Sequence, residues 1–383
     1  MTKIKQEPDP RTGRAWIELD LEALRHNVRI LQGLVPAGCR IMPAVKANAY
    51  GHGAVLLSRE LNRIGIRSFC VAAANEGVEL RRAGIEGEIL ILGYTHPLQF
   101  PLLVQYDLMP TVVDAQHAEA MARFGQPLKV HIKLDSGMHR LGERWQNLPQ
   151  LLTVFSRPNL QVEGIYTHLC ADDSGLPEDE SYTKMQIKTF YETLAQIKAA
   201  GFTYGKQHIQ SSYGIFTCPQ LKCDYARVGI ALCGMLSSKE DTEKHAVGLR
   251  PMLSLKSRIM LVKELLAGEV AGYGRQFVAP CDMKIAVLSI GYADGVPRAL
   301  SNGVGQVLIA GKRLPIIGRI CMDQLLVDLS AVPKAHQGDE AVLIGRSGEE
   351  EITACDVAEQ AGTIANEIFS RLGSRPERLI VKS

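Results

Sequence analysis

An α/β chain, with a TIM-like (β/α)8 barrel in front and a smaller C-terminal β-rich domain behind it, is what the order of the 383 residues predicts. Three observations carry that expectation. Short apolar runs alternate with amphipathic helical stretches from Asp20 to about Gly234. From about residue 246 the pattern changes to short alternating strands punctuated by Gly and Pro. The length exceeds what one ordinary core needs, so two domains are expected. On these grounds residues 15–245 form the barrel domain, 246–383 the β-rich domain, and 1–14 a polar, Pro-containing linker.

The barrel expectation rests on eight strand candidates, at 41–45, 69–73, 88–92, 110–113, 129–134, 162–167, 206–210 and 225–230. Helical patterns lie between them. Leu21, Leu24, Val28, Leu31 and Val35 step by three and four behind Asp20, a candidate N-cap. Ile187, Phe190, Leu194 and Ile197 do the same ahead of Gly201, a candidate C-cap. About eight βα repeats in roughly two hundred residues suit a closed parallel barrel. The strand runs alone leave an open doubly wound sheet as the alternative. In the second domain, strands are expected at 284–290, 306–309 and 341–344, with a helical stretch at 355–360. The segment NGVGQVLIAG contains GxG but lacks the rest of the dinucleotide fingerprint, and it reads as a hairpin turn.

Composition narrows the function. The chain is 46% hydrophobic and 22% charged, as soluble globular proteins are. Its 43 basic and 41 acidic side chains are well mixed and leave a net charge of +2. That gives no electrostatic footprint for nucleic acid or for an anionic membrane surface. No apolar run approaches the ~18 residues of a membrane span, and the first residues lack the apolar stretch of a signal peptide. The nine cysteines show no CxxC spacing, so neither a zinc site nor a disulfide framework is expected, and a reducing cytoplasm is.

The chemistry begins at AVKANAYGHG (44–53), where Lys46 directly follows an apolar strand. Active sites form at the carboxyl ends of barrel strands. A lysine there can form a Schiff base with a carbonyl cofactor, or it can be a surface lysine whose stem snorkels. The string resembles the cofactor-lysine motif of the alanine racemases. Further matches follow in that family's order: KLDSGMHRLG at 133–142, THLCADD at 167–173, YARVGIALCG at 225–234, GYGR at 272–275, GYADGVPR at 291–298 and GRICMDQ at 318–324. The resemblance covers nearly the whole chain, from about Ala15 to Arg378.

The resemblance implies an isomerase of amino acids whose cofactor, pyridoxal 5'-phosphate, is held by Lys46. Racemisation needs a base on each face of the α-carbon, and by the same resemblance Lys46 serves one and Tyr273 the other. In the family that tyrosine comes from the partner subunit, so a homodimer with shared sites is expected. A free phenol has a pKa near ~10 and needs help to act as a base. The family pattern assigns that help to His168 and Arg227. It also sets Arg227 against the pyridine nitrogen, and an arginine does not give up its proton. Tyr50, Ser211, Ser212, Gly229, Ile230 and Tyr292 match the rest of the family's cofactor set. Arg140 and Met322 match its contacts to the substrate carboxylate, Asp323 a residue lining the pocket entrance, and Lys133 a lysine that is often carbamylated. No metal is expected.

Two positions depart from the family pattern. Ser211-Ser212 stands where an asparagine-serine pair is usual, and Asn366 where the common enzyme has tyrosine. Asparagine is smaller and brings both a donor and an acceptor, so serine becomes a second expected substrate beside alanine. In this the chain resembles the racemase domain of the membrane-anchored serine/alanine racemases of vancomycin resistance, which supply D-amino acids for peptidoglycan precursors. On that reading residues 1–14 are the junction to a membrane region, and this segment itself does not touch the membrane. A strict alanine racemase with a variant pocket is the plainer alternative. A decarboxylase of the same layout lacks support, since its cysteine-containing C-terminal motif and Gly-rich phosphate loop are not found. A pyridoxal-phosphate carrier resembles the barrel alone.

Overall fold

The computed structural model describes residues 13–171, 176–246 and 248–381, so most of the expected linker and the end of the THLCADD motif lie outside the described residues. The chain divides into two compact units. One comprises Arg25–Met235 with His245–Arg250; the other comprises the described residues up to Leu24, Leu236–Lys244 and the described residues from Pro251 onward.

The first unit is a closed parallel barrel. Its eight strands are Arg40–Ile41, Ser68–Val71, Glu88–Ile91, Met109–Val112, Leu128–Asp135, Leu160–Tyr166, Lys206–His208 and Tyr225–Ala226. Parallel ladders join strands two to seven in sequence order. Strand eight pairs in parallel with strand one, Tyr225 opposite Arg40. Backbone hydrogen bonds finish the circle: Cys70 N to Pro43 O joins strand two to one, and Asp224 N to Gln207 O joins eight to seven. This rules out the open doubly wound sheet. The barrel holds a layer of Met42, Cys70, Leu90, Met109, Tyr166 and Tyr225. It is therefore packed with side chains, as such barrels are, and its chemistry is confined to one end.

The outer helices begin and end on short-range signals. Asp114 accepts from the His117 amide to cap Ala115–Phe124, and Gly125 at φ +75° ends that helix. Pro177–Ala199 is closed by Gly201 at φ +84°. Asp20 accepts from the amides of Glu22 and Ala23, and so caps Leu21–Leu34 as its position in the sequence suggests.

The second unit is built on a nine-stranded sheet whose longest strand is Leu253–Leu265. That strand runs antiparallel to Met283–Leu288, Glu340–Ser347 and Ala15–Asp20. Ala15–Asp20 in turn pairs in parallel with Glu377–Val381. This corrects the expected boundary, which put residues 15–24 in the barrel domain. A strand followed at once by a capped helix imitates a βα repeat, but Trp16, Ile17 and Leu19 are fully buried in the sheet of the other unit. The hairpin expected at NGVGQVLIAG is present as Gln306–Ile309 and Lys312–Ile317. Its two-residue turn has positive φ at both Ala310 and Gly311, the form whose twist matches the flanking strands. The unit closes with helices Ala354–Ala361 and Ala365–Ser370. Among the described residues no helix is long and apolar enough to cross a membrane.

Candidate active site

Lys46 leaves barrel strand one on an unusual piece of backbone. Ala47, Asn48, Ala49 and Tyr50 all have φ between +51° and +54°, a left-handed helical turn built from non-glycine residues. Each such residue costs about 1–2 kcal/mol in steric strain. Three contacts hold the turn. Glu76 accepts from the Ala47 amide and, with its other oxygen, from the Ala72 amide, so it ties the ends of strands one and two together. Asn48 accepts from the Ala54 amide and caps the next helix, and Ala49 is buried. The Lys46 amine is half-buried. Burial first, then the charge of Arg140, hold it below the usual lysine value, with Arg227 adding to the effect.

Opposite Lys46, the barrel interior carries a chain of polar side chains. Arg227 donates from Nη1 to His208 Nδ1 at 2.9 Å and from Nη2 to the Thr167 carbonyl at 2.6 Å, and its Nη2 lies 3.5 Å from His168 Nδ1. A guanidinium only donates, so His208 Nδ1 must accept and its proton sits on Nε2. That proton is given to His131 Nδ1 at 2.9 Å. The network thus sets both tautomers and requires both rings to be neutral. Burial, then the charge of Arg227, pushes the three histidines down, His131 to about 3. Gly164 makes the chain possible, since a Cβ there would come within 2.5 Å of the His131 ring.

Lys133 lies on the same face of its strand as His131, two residues on, and is 5% exposed. Its Nζ has no hydrogen-bond partner and sits 4.9 Å from the Tyr166 ring centre. Burial, with Arg227 and Arg140 nearby, keeps this amine far below its ordinary value. Arg140 itself is exposed in the loop after the strand, which Asp135 braces by accepting from the amides of Gly137 and His139.

The ends of strands seven and eight form a cradle. The amides of Gly229 and Ala231 both point at Ser212 Oγ, at 3.0 and 3.3 Å. They open the short helix Ile230–Cys233. A Cβ on Gly229 would stand 2.4 Å from the Tyr50 hydroxyl, so only glycine admits that phenol. Ser211 precedes the cradle and accepts from the Gly214 amide.

The remaining predicted residues belong to the β-rich unit. Tyr273, Met322 and Asp323 line one cleft of about 460 Å³ with Cys321 and Gln324. Tyr292 joins them through its backbone, since the amides of Tyr292 and Ala293 donate to the carbonyls of Cys321 and Met322. Tyr273 is 70% exposed and Met322 53%. Arg375 pairs with Asp323 at 2.8 Å, and Arg14 with the buried Asp294 beside Tyr292. Asn366 opens helix Ala365–Ser370, and its side-chain oxygen is buried with no hydrogen-bond partner.

Comparison with known proteins places this geometry. Residues 19–237 match the family model described as alanine racemase, N-terminal domain, and residues 252–380 the one described as alanine racemase, C-terminal domain. The chain belongs to the alanine racemase family. It is 42% identical to an amino-acid racemase of Enterococcus faecalis over 97% of its own length and 52% of the relative's. It is 38% identical to a serine/alanine racemase of Enterococcus gallinarum, over 94% of this chain and 51% of that one. The chain thus spans about half the length of these two relatives. An alanine racemase of Nostoc is 41% identical and is covered over 95% of its length, with 96% of this chain. Among solved structures, the alanine racemase of Bacillus anthracis with bound L-Ala-P superposes with a TM-score of 0.91 at 33% identity, covering 97% of this chain and 95% of that one.

The barrel unit therefore gathers Lys46, Tyr50, Lys133, Arg140, His168, Ser211, Ser212, Arg227, Gly229 and Ile230 at its carboxyl end, and the β-rich unit holds Tyr273, Tyr292, Met322, Asp323 and Asn366. The alanine racemase motifs did not single out His131, His208 or Glu76. A signal for His131 was present: HIKLD repeats a polar residue at every second position of an otherwise apolar strand.

Proposed function

We propose that this chain interconverts the L and D forms of alanine, and of serine, by proton transfer on both faces of the α-carbon. The observation that carries it is the Lys46 amine at the carboxyl end of barrel strand one, held below the usual lysine value in the same barrel end as the Arg227 network and the Ser212 cradle.

The residues fit pyridoxal phosphate. The Ser212 hydroxyl and the converging amides beside it suit a phosphate at a helix start, with Tyr50 admitted by Gly229. When bound, the cofactor supplies the electron sink that acidifies the substrate's α-proton. Lys46 holds the cofactor and moves the proton on one face. Tyr273 of a second copy moves it on the other, assisted by His168 and Arg227. An aromatic side chain that is 70% exposed in one chain is what a residue completed by a partner requires. Arg227 would donate to a ring nitrogen set against it without giving up its proton, so that nitrogen would stay unprotonated and the sink modest. Arg140 and the Met322 amide bind the substrate carboxylate, with Asp323 at the entrance. Lys133, whose amine burial holds far below its ordinary value, would take up carbon dioxide as a carbamate with release of a proton, and the negative charge would orient Arg140.

Serine is supported by Asn366. A buried amide oxygen without a partner offers an acceptor for a substrate hydroxyl. On this reading the chain supplies D-amino acids for peptidoglycan precursors. The test is a racemisation assay on L-alanine, L-serine and larger amino acids in deuterated water. Turnover of alanine and serine with α-deuterium in the product is expected. Loss of the carboxyl group, or no exchange, would overturn the reading.

A further inference from the structure

Two thiols meet at the seam where the barrel closes. Cys39 directly precedes strand one and Cys223 lies two residues before strand eight, and these are the strands that pair Arg40 with Tyr225. The two sulfurs are 3.2 Å apart although the residues are separated by 184 positions in sequence. Both are partly exposed. Cys223 is oriented by Gln210, whose side-chain oxygen lies 3.5 Å from its sulfur and accepts from it, and the two sulfurs share a hydrogen bond. That hydrogen bond lowers the Cys223 thiol and holds Cys39 up, and the charge of Arg227 also favours a thiolate at Cys223.

We propose that Cys39 and Cys223 are a redox modification site, forming a reversible disulfide that latches strand eight to strand one, with low-molecular-weight disulfides of the glutathione class as oxidant. The Cys223 thiolate attacks one sulfur of the small disulfide, forming a mixed disulfide and releasing one thiolate. Cys39 then gives its proton to solvent and attacks the Cys223 sulfur, expelling the second. Two protein thiols are oxidised and one small disulfide is reduced to two thiols. Closing from the observed contact to a bond of about 2.05 Å takes a sulfur displacement of about 1 Å, within reach of side-chain rotation. The latch acts next to the cradle: Gln210 precedes Ser211 and Ser212, and Cys223 leads through strand eight to Arg227.

The test uses the whole protein, incubated with oxidised glutathione and then mapped by proteolysis without reductant. A peptide linking Cys39 to Cys223 is expected, together with a rise in Tm of about 5 °C, as suits a cross-link closing so long a loop. Dithiothreitol should reverse both. Cys223→Ser and Cys39→Ser should each abolish the linked peptide. The proposal is overturned if the exposed Cys170 and Cys281 become glutathionylated while Cys39 and Cys223 stay reduced. It is equally overturned if Cys223 keeps a stable glutathione adduct with Cys39 free. The peptide map of the unsubstituted protein decides between these outcomes even if a serine variant folds poorly.

Discussion

A single hydroxyl carries half of the proposed chemistry, and a single amide carries the choice of substrate. Tyr273→Phe removes an acid/base group while leaving a residue that sits largely in solvent in the isolated chain, so the fold should tolerate it. Racemisation in both directions should fall by ~10²–10⁴ with the cofactor retained. Near-normal turnover in this variant would place the second base elsewhere. Asn366→Tyr tests the other reading. An apolar pocket rejects an added hydroxyl by only about 10²-fold, so room for serine comes first. The unpartnered oxygen of Asn366 then adds a hydrogen bond of ~0.5–1.5 kcal/mol, a few-fold to tenfold in rate. The variant should lose kcat/KM for serine well beyond any loss for alanine. A ratio that does not move would shift attention to Ser211 and the entrance at Asp323.

At the scale of the element, the left-handed turn after Lys46 is the most costly piece of backbone around the site. Four strained residues together oppose folding by roughly 4–8 kcal/mol, held in place by Glu76, Asn48 and the burial of Ala49. Ala47 is exposed, so Ala47→Gly relieves strain without opening a cavity. Relief of ~1–2 kcal/mol outweighs the ~0.4–1 kcal/mol of added freedom in the unfolded chain. The variant should be more stable by about 0.5–1 kcal/mol in urea unfolding and slower in turnover, because Lys46 is then less fixed. A loss of stability would show that the turn carries no such strain. This turn was not legible in the sequence: Gly51 and Gly53 announce a bend and Asn48 tolerates left-handed backbone, but nothing in Ala47, Ala49 or Tyr50 announces it. The barrel strands were legible because each is a local apolar run between turn residues, and all eight appear close to where those runs lie. Strand Ala15–Asp20 was not, because its partners begin at residues 253 and 377, and pairing over such distances leaves no local mark. Lys46, Arg140 and Arg227 stand in strings that resemble a known family. His208 was hidden because a neutral histidine within a strand looks the same whether it fills space or holds an arginine.

For the molecule as a whole, the neutral histidine chain makes stability depend on pH. His131, His168 and His208 all have folded values below the ~6.5 of an unfolded chain. Above about pH 6.5 both states are neutral and the fold has its full stability. As pH falls, the unfolded chain binds protons that the folded one refuses, at ~1.4 kcal/mol per pH unit for each ring, until His131 itself titrates at about 3. Denaturant midpoints should therefore drop between pH 7 and 5, and unfolding at pH 5 should take up about three protons from these rings. A flat profile over that window would mean the rings are already charged in the fold. The nine-stranded sheet has a different consequence, one of timing. During translation the stretch from Arg25 to Met235 leaves the ribosome as one continuous piece and can close its barrel at once. The strand Ala15–Asp20 is made before it, yet must wait for Leu253–Leu265 on one side and Glu377–Val381 on the other. A nascent chain halted between these points would carry a finished Lys46 barrel beside the uncovered Trp16, Ile17 and Leu19, a sticky end for which synthesis itself sets the period of exposure.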